Sequence, residues 1–568
     1  MNHTLRLGLF GIVVFALGAW VAFILPTVFA KHIQNEVLNR TGHVLTVSGG
    51  ASLQIVPKFG VALRDVAFVG NSGQGTPLMK AKSLSVPLTF MQTIGADGII
   101  NHLDLVAPIF NLDFNRDGQS EFAVKTAAAG KSDAHTPLPE PLDITFSDGL
   151  FNYHDETTAT SFALREMVGS FEIDEQNEVF FQSSATLNEQ RVHFSGNLKS
   201  LPRALGDGSP LDLNMEGAGA SFGFSGRVAA RQSLELAGTG SIDTQDSARL
   251  FKWFGFDLHG LRDKNSLWVE SAVDSNGPLF LLKNAVIHFG KANAKGDVSY
   301  SGAGAKPRVT LAVDVDRLDL NSYTINPKKS AAAQNWNENI FDLHDLNAVD
   351  LQFRVTANQL LYEKFQIPTT QVEGQLNDGV LNAHISGVQF GKIELNFDAK
   401  QTPPKLDLIL ALEHSEAGTF LSSIAGMNWL SGNMQLNASL SAKGTSQAEM
   451  MGNLAGTADV QGESFAIHGA DLAGLATRAL AEPVSGWGSG DSGPVTAKAK
   501  FSISDGIATV SENSLSGASI KLSQTGEIDI LRKALNLEAV VGLNGADHKN
   551  NKVEISGPWA NPRFSVAQ

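Results

Sequence analysis

Apolar and polar residues alternate one for one along most of this chain. In "KIELNFDAK", Ile393, Leu395, Phe397 and Ala399 alternate with Glu394, Asn396, Asp398 and Lys400, so an extended backbone puts each set on its own face. "KLDLILALE" continues the pattern with Leu406, Leu408, Leu410 and Leu412. It returns in "VTLAVDVDRLDL" (Val309 to Leu320), "GNMQLNASLSAKG" (Gly432 to Gly444) and "LNLEAVVGL" (Leu535 to Leu543). A period of two with one oily side predicts half-buried antiparallel strands. Between such runs the chain repeatedly writes Asp-Gly: "FSDGLFNYHD", "LNDGVLNAHISG" and "SISDGIATVSE". Glycine accepts positive φ without a Cβ clash and aspartate tolerates it, so tight hairpin turns are predicted at Asp148-Gly149, Asp378-Gly379 and Asp505-Gly506. Asp97-Gly98 and Asp117-Gly118 are further instances. Their spacing is irregular, which marks a recurring device and not a strict repeat.

Helical periodicity is sparse. "TQDSARLFKWFGF" has N-cap candidates in Thr244 and Asp246 and places Ala248, Leu250, Phe251 and Phe254 near one face. "GADLAGLATRALAE" sets Leu472, Leu475, Ala476, Ala479 and Leu480 at helical spacing and is stopped by Pro483. "SEAGTFLSSIAG" (Ser415 to Gly426) is a third short candidate. All three are expected to lie as caps on sheet. Residues 125–141 and 326–340 lack alternation and collect Ala, Pro, Lys and Ser, as linkers do. The expected organisation is an anchor at 1–30, an amino-terminal β segment at 31–124 and a linker at 125–141. A central β segment at 142–325 follows, with a helix near 244–254, then a linker at 326–340. A carboxyl-terminal β segment at 341–568 carries helices near 415–425 and 470–481.

The anchor is the uncharged run from Leu7 to Ala30, which exceeds the ~20 apolar residues that cross a bilayer as a helix. Its insertion energy would come from Leu9, Phe10, Ile12, Val13, Val14, Phe15, Leu17, Val21, Phe23, Ile24 and Leu25, with Trp20 as an interface residue. A cleaved signal peptide is the competing interpretation, with "VFA" before Lys31 as its site. The apolar core is longer than most signals, which favours a retained single-pass anchor. Either way, everything after Lys31 is expected to be exported.

Composition narrows the partners. A formal charge of -15 with no run of Lys or Arg excludes a phosphate backbone as partner, and an acidic membrane surface would repel the chain. With no cysteine, disulfides, thiolate metal sites and cysteine nucleophiles are impossible. "GSGDSG" (Gly488 to Gly493) matches a dinucleotide fingerprint in letters, but Pro494 and an alternating run follow where a helix is needed. "GASFG" (Gly219 to Gly223) matches a hydrolase elbow, yet the chain continues as strand, making Ser221 a face residue. The 14 histidines are scattered without metal-binding spacing. No catalytic residue, metal ligand or cofactor is expected, and the chain is taken to be no enzyme.

So many amphipathic strands must bury one face each. Closed β-sandwiches would do so, and so would a long sheet curled into a trough whose oily lining something else fills. Periodicity leaves both open. "VLTVSGGASLQIVPKFGVALRDVAFVG", "LMKAKSLSVPLTFMQTIGADGIINHLDLVAPIFNLDFNRDGQSEF", "SARLFKWFGFDL", "DRLDLNSY", "FAIHGADLAGLATRAL", "AKFSISDGIATV" and "SGPWANPRFSV", in this order, resemble the AsmA family. The chain departs from the family's usual Asn-Trp pair at "GQSEF". The resemblance implies an all-β, mainly antiparallel, elongated curled sheet forming an apolar groove, with a few short helices and one transmembrane helix before it. It further implies a bacterial inner-membrane protein with its bulk in the periplasm, related to bridge-like lipid-transfer proteins. Its partners would be membrane phospholipids, with Ile393, Leu395, Phe397, Leu406, Leu408, Leu410, Leu436 and Leu440 as groove lining. The alternative is a structural or regulatory factor for outer-membrane protein assembly, acting through strand edges and polar faces in contact with envelope assembly proteins.

Overall fold

The computed structural model describes residues 25–41, 44–54, 59–69, 77, 79–87, 101–115, 141–156, 160–204, 206–230, 233–255, 265–277, 279–302, 306–319, 336–347, 349–362, 365–387, 391–418, 430–468, 471–479, 481–487, 490, 492–543 and 551–566. The described chain is overwhelmingly β, with 32 strands and a handful of short helices among these residues. It divides into two compact units, one formed mainly by residues up to 290 and the other mainly by residues from 306 onward. The boundary between units does not coincide with either predicted linker.

In each unit the strands pair mostly with their neighbours in sequence, antiparallel, and their apolar positions fall into register. In the first unit Leu63 pairs with Leu84, Leu84 with Leu105, and Leu105 with Phe146. The row continues through Gly169, Ser183, Phe194 and Met215 to Phe222, Ile242, Val269 and Ile287. In the second unit Val313, Val355, Val372, Ile385, Ile393 and Leu410 are successive partners. That row goes on through Ala438, Ala458, Phe501, Val510 and Gly526 to Leu537, Ile555, Phe564 and Val484. Directly opposed residues point the same way from a pleated sheet, so a period of two within each strand becomes a line across strands, apolar or glycine throughout except at Ser183.

Two parallel pairings interrupt the meander and make the sheet mixed. The strands His102–Val106 and Ile109–Phe114 both run parallel to Leu142–Asp155, and Arg308–Val315 with Leu318–Asp319 runs parallel to Asp350–Tyr362. A parallel partner requires a crossover longer than a hairpin turn. The predicted linkers occupy those two intervals, and their residues 125–140 and 326–335 lie outside the described residues.

The Asp-Gly signal divides into two outcomes. Asp378-Gly379 and Asp505-Gly506 are two-residue hairpin turns with φ of 49° and 79°, and of 48° and 71°. Both residues of each pair lie in the left-handed region, as a type I′ turn demands. Asp148-Gly149, predicted as a hairpin, is instead a β-bulge inside the continuous strand Leu142–Asp155. The runs on its two sides already have other partners: His102–Val106 and Ile109–Phe114 on one edge, Thr160–Ile173 on the other. The positive φ of Asp148, 55°, is therefore absorbed as a kink. It has company, since Ala107 (φ 49°) breaks the strand on one side and Glu166 (φ 52°) bulges on the other. Ala107 N donates to Ser147 O at 2.8 Å and Leu150 N to Pro108 O at 2.7 Å, so the ladder is re-satisfied around the kink. The turns at Asp97 and Asp117 lie outside the described residues.

Helices sit at the ends of these sheets. The anchor residues Leu9 to Ile24 lie outside the described residues, while Leu25 opens a helix that continues past Ala30 to Thr41. Ala30 and Ile33 of this helix are buried in the first unit's core, with Phe29 and Val37 packed beside them, and Gln34 Nε2 donates to Leu45 O at 3.0 Å. Among the described residues no helix is long and apolar enough to cross a membrane. The helix Ser247–Trp253 is capped by Asp246, whose Oδ1 accepts from Arg249 N at 3.0 Å. Its buried side chains are Ser247, Leu250 and Trp253, whereas Phe254, expected on that face, is half exposed beyond the helix end. The Trp253 indole takes the place assigned to it, donating to Leu187 O at 2.9 Å. The helix Leu472–Ala479 buries Leu472, Leu475, Ala476 and Ala479 as predicted, and Leu480 is outside the described residues. Of the helix expected from Ser415, the first two residues belong to the strand Lys405–Glu416, Ala417 and Gly418 are helical, and 419–426 are outside the described residues.

These turns generate two expectations. A Cβ at Gly506 would meet Met451 O at 2.6 Å, and one at Gly379 would meet Asn347 Oδ1 at 2.5 Å, both at positive φ. Gly506→Ala and Gly379→Ala should each cost about 1 to 2 kcal/mol, read as a lower denaturation midpoint. Lys306 and Lys400 both donate to the turn carboxylate Asp378 and hold its pKa down at about 2, against an ordinary 3.8. A depressed carboxyl pKa stabilises the fold above the ordinary value, and that contribution fades as pH falls towards the folded value. Asp378→Asn keeps a turn-competent residue, so its melting-temperature gap to the wild type should be present above pH 3.8 and close as the pH approaches 2. A gap independent of pH would exclude this account.

Candidate functional site

The apolar row of the second unit ends around a cavity of about 510 Å³. Leu410 borders it from the strand Lys405–Glu416, and Phe564 from Arg563–Val566 at the far end of the same run of pairings. Strands so far apart in the ladder share one hollow because the sheet curls. The means are visible as bulges at Leu412/Ser415, Ser431/Asn433, Gly462/Phe465 and Val510/Leu515, each inserting residues into a strand of the wall.

The helix Leu472–Ala479 closes one side. Asp471 starts it, its Oδ1 accepting from Gly474 N at 3.0 Å and its carbonyl from Leu475 N at 2.7 Å. Leu472, Leu475 and Ala476 face the cavity, while Thr477 and Arg478 are exposed. Trp487 and Trp559 complete the wall. The Trp487 indole donates to the Trp559 backbone carbonyl at 3.1 Å and meets Phe564 edge-on at 5.5 Å, which fixes the Trp487 ring. Outside this wall, Trp336 donates from Nε1 to Ile530 O at 2.9 Å. The Lys533 ammonium lies 4.4 Å from the Trp336 ring centre and 6.0 Å from that of Trp559. Burial between the rings pushes the Lys533 pKa down.

The chemistry of the lining is uniform. Among the described residues it consists of aliphatic and aromatic side chains and the Met434 thioether, apart from the amide of Gln524, and none of them is charged. Such a surface offers neither proton transfer nor an anion or metal site, and it binds by removing apolar area from water. Its volume falls within the ~300 to 1,000 Å³ typical of small-ligand pockets. Among the described residues, no group of three or more His, Asp or Glu could hold a metal ion.

Of the residues expected to line a groove, Leu410, Leu436 and Leu440 border the cavity. Ile393 packs with them against the same core. Leu395 with Leu408, and Phe397 with Leu406, share their face by register and remain half-buried. Leu395 also borders a second hollow of about 620 Å³, whose other walls include Arg354, Glu373, Asn382, His384, Glu394 and Asn396. There some of the polar groups pair with one another: Arg354 Nε lies 3.3 Å from Glu373 Oε2, and Asn396 Nδ2 donates to Asn382 Oδ1 at 2.6 Å. His384 is set among these side chains, whereas His154 is exposed on the strand after the Asp148 bulge. Ser221 is an exposed face residue of the strand Ala220–Ala230, opposite Glu216 and Asp243.

Sequence inspection missed Phe501, Leu537, Ile555, Trp487 and Trp559, which line the cavity together with the predicted leucines. The three strand residues lay in phase with the alternation, but phase alone does not say which strands close around one another. In comparisons with known proteins, no curated protein and no solved structure matches the chain. The AsmA family model matches residues 288–512, a segment that contains every predicted groove residue and the cavity wall as far as Ile503. The match over residues 288–512 supports the AsmA family resemblance.

Proposed function

We propose that this chain binds phospholipid acyl chains along the apolar rows of its sheets and conducts them, as a single-pass inner-membrane protein whose body lies in the periplasm and serves outer-membrane lipid homeostasis. The observation that carries this reading is the row from Val313 to Val484, which crosses the strands of the second unit without a charged residue and ends at the cavity. The row is more open over its middle strands than around the cavity, with Val313 at its first strand buried and Val484 at its last half-buried. Val355, Val372, Ile385, Ile393 and Leu410 are half-buried, whereas Val510, Leu537, Ile555 and Phe564 are buried.

Energetics make such a surface useful. Burying about 15 methylenes of one acyl chain is worth on the order of 12 kcal/mol at ~0.8 kcal/mol each, so a lipid tail does not cross water unaided at a useful rate. Equivalent neighbouring apolar positions let the tail move without re-entering water, while head groups stay in solvent. The segment Leu7–Ala30 holds the protein where lipids enter, and no catalysis or cofactor is required.

The test is the lipid that accompanies the purified full-length protein. Leu410→Asp and Leu440→Asp should each remove most of it while leaving the melting temperature within a few degrees of wild type. Ser439→Asp, on the opposite face next to Leu440, should retain it. A wild-type protein that carries no lipid, or equal loss from Ser439→Asp, would overturn the proposal.

A further inference from the structure

The strand Ile520–Asp529 carries Ile520, Leu522, Gln524, Gly526 and Ile528 on its inward phase, so an amide occupies a position where the alternation calls for an apolar side chain. Gln524 borders the cavity, is half-buried, and its side chain makes no hydrogen bond among the described residues. Its backbone is nonetheless held firmly. The neighbouring strand bulges between Val510 and Leu515, and Asn513 Oδ1 accepts from Gln524 N in place of the missing ladder bond. A fixed backbone with an unpaired amide turned into an oily hollow breaks the local rule without an internal compensation, which is where functional residues are expected.

We infer that Gln524 is the specificity-determining contact of the cavity, donating its side-chain N–H to the ester carbonyl of a neutral, ester-linked acyl chain. This rests on the acyl-binding reading above. When an apolar chain fills the cavity it displaces the water that solvates the amide, and a ligand without an acceptor leaves that amide unpaired. An ester carbonyl replaces the lost hydrogen bond. A free fatty acid brings a carboxylate instead, and among the described residues no Lys, Arg or His lines the cavity to neutralise it. The cavity thus discriminates against bare hydrocarbon and against free acid, and favours the acyl ester of a glycerolipid.

Displacement of an apolar fluorescent probe from delipidated full-length protein in detergent tests this, using a long-chain fatty acid methyl ester, the matching alkane and the free acid at neutral pH. The wild type should prefer the ester over the alkane by about five- to tenfold, the range of one net hydrogen bond. Gln524→Leu should erase that preference while binding the alkane at least as well, and Gln524→Met, closer in length, should do the same. Binding by both variants with the wild-type ester preference intact would overturn the inference and leave the acyl-binding proposal standing. Failure of the wild type to bind any of the three ligands would sink the acyl-binding proposal, and this inference with it.

Discussion

Edge-to-edge backbone pairing is the constraint from which the rest of this architecture follows. A strand pairs through its N–H and C=O groups, and once the register is set, opposed side chains must leave the sheet on the same side. One apolar position per strand is therefore copied across the sheet. Ile393 meets Leu410, Leu410 meets Ala438, and Ala438 meets Ala458, none of them chosen for the line they form but only for the phase they occupy. A sheet with such a line down one face must cover it with another layer, curl around it, or leave it for a ligand. Within the second unit the bulges at Leu412/Ser415, Ser431/Asn433, Gly462/Phe465 and Val510/Leu515 lie on a run of wall strands and drive curling.

Short helices then decide where a line is sealed. The helix Ser247–Trp253 brings Leu250 and Trp253 onto the first unit's core, where Trp253 lies near Phe222 at 6.1 Å between ring centres. The helix Leu472–Ala479 does the same in the second unit, with the two tryptophans beside it. Each spans only two turns or so, too little to cover a whole sheet face, and so each closes a part of it. Partial cover explains why one row contains both buried Phe564 and half-buried Ile385.

The sequence made the local features legible and the long-range ones not. Alternation located the strands because it is a property of adjacent residues, and the face of the helix at Leu472, Leu475, Ala476 and Ala479 was readable for the same reason. Asp-Gly announced positive φ at Asp148, Asp378 and Asp505 alike. Whether positive φ becomes a hairpin or a bulge depends on which strands lie alongside, and for Asp148 those include residues 102–114, which are remote in sequence. The parallel pairings escaped notice because the intervening segments carry no alternation and resembled linkers. Phe254 lies one residue beyond the helix end, so the buried position falls to Trp253. The curl that gathers Leu410 and Phe564 around one cavity depends on bulges spread over many strands, and no window of sequence contains it.

An apolar row of near-equivalent residues has a consequence that a conventional pocket lacks. Binding affinity in a pocket comes from convergence on one place, whereas along Val355, Val372, Ile385 and Ile393 each position offers a tail nearly what its neighbour offers. The free energy of an acyl chain on such a surface is flat, so attraction to the protein does not trap the chain at any one point. Position is defined only where uniformity fails. In the second unit it fails at the cavity, where burial deepens, two tryptophans narrow the hollow, and Gln524 introduces the single amide into an otherwise apolar lining among the described residues. On the proposed reading, a surface for passage and a terminus for recognition would arise from one binary pattern, the second through a local departure from it.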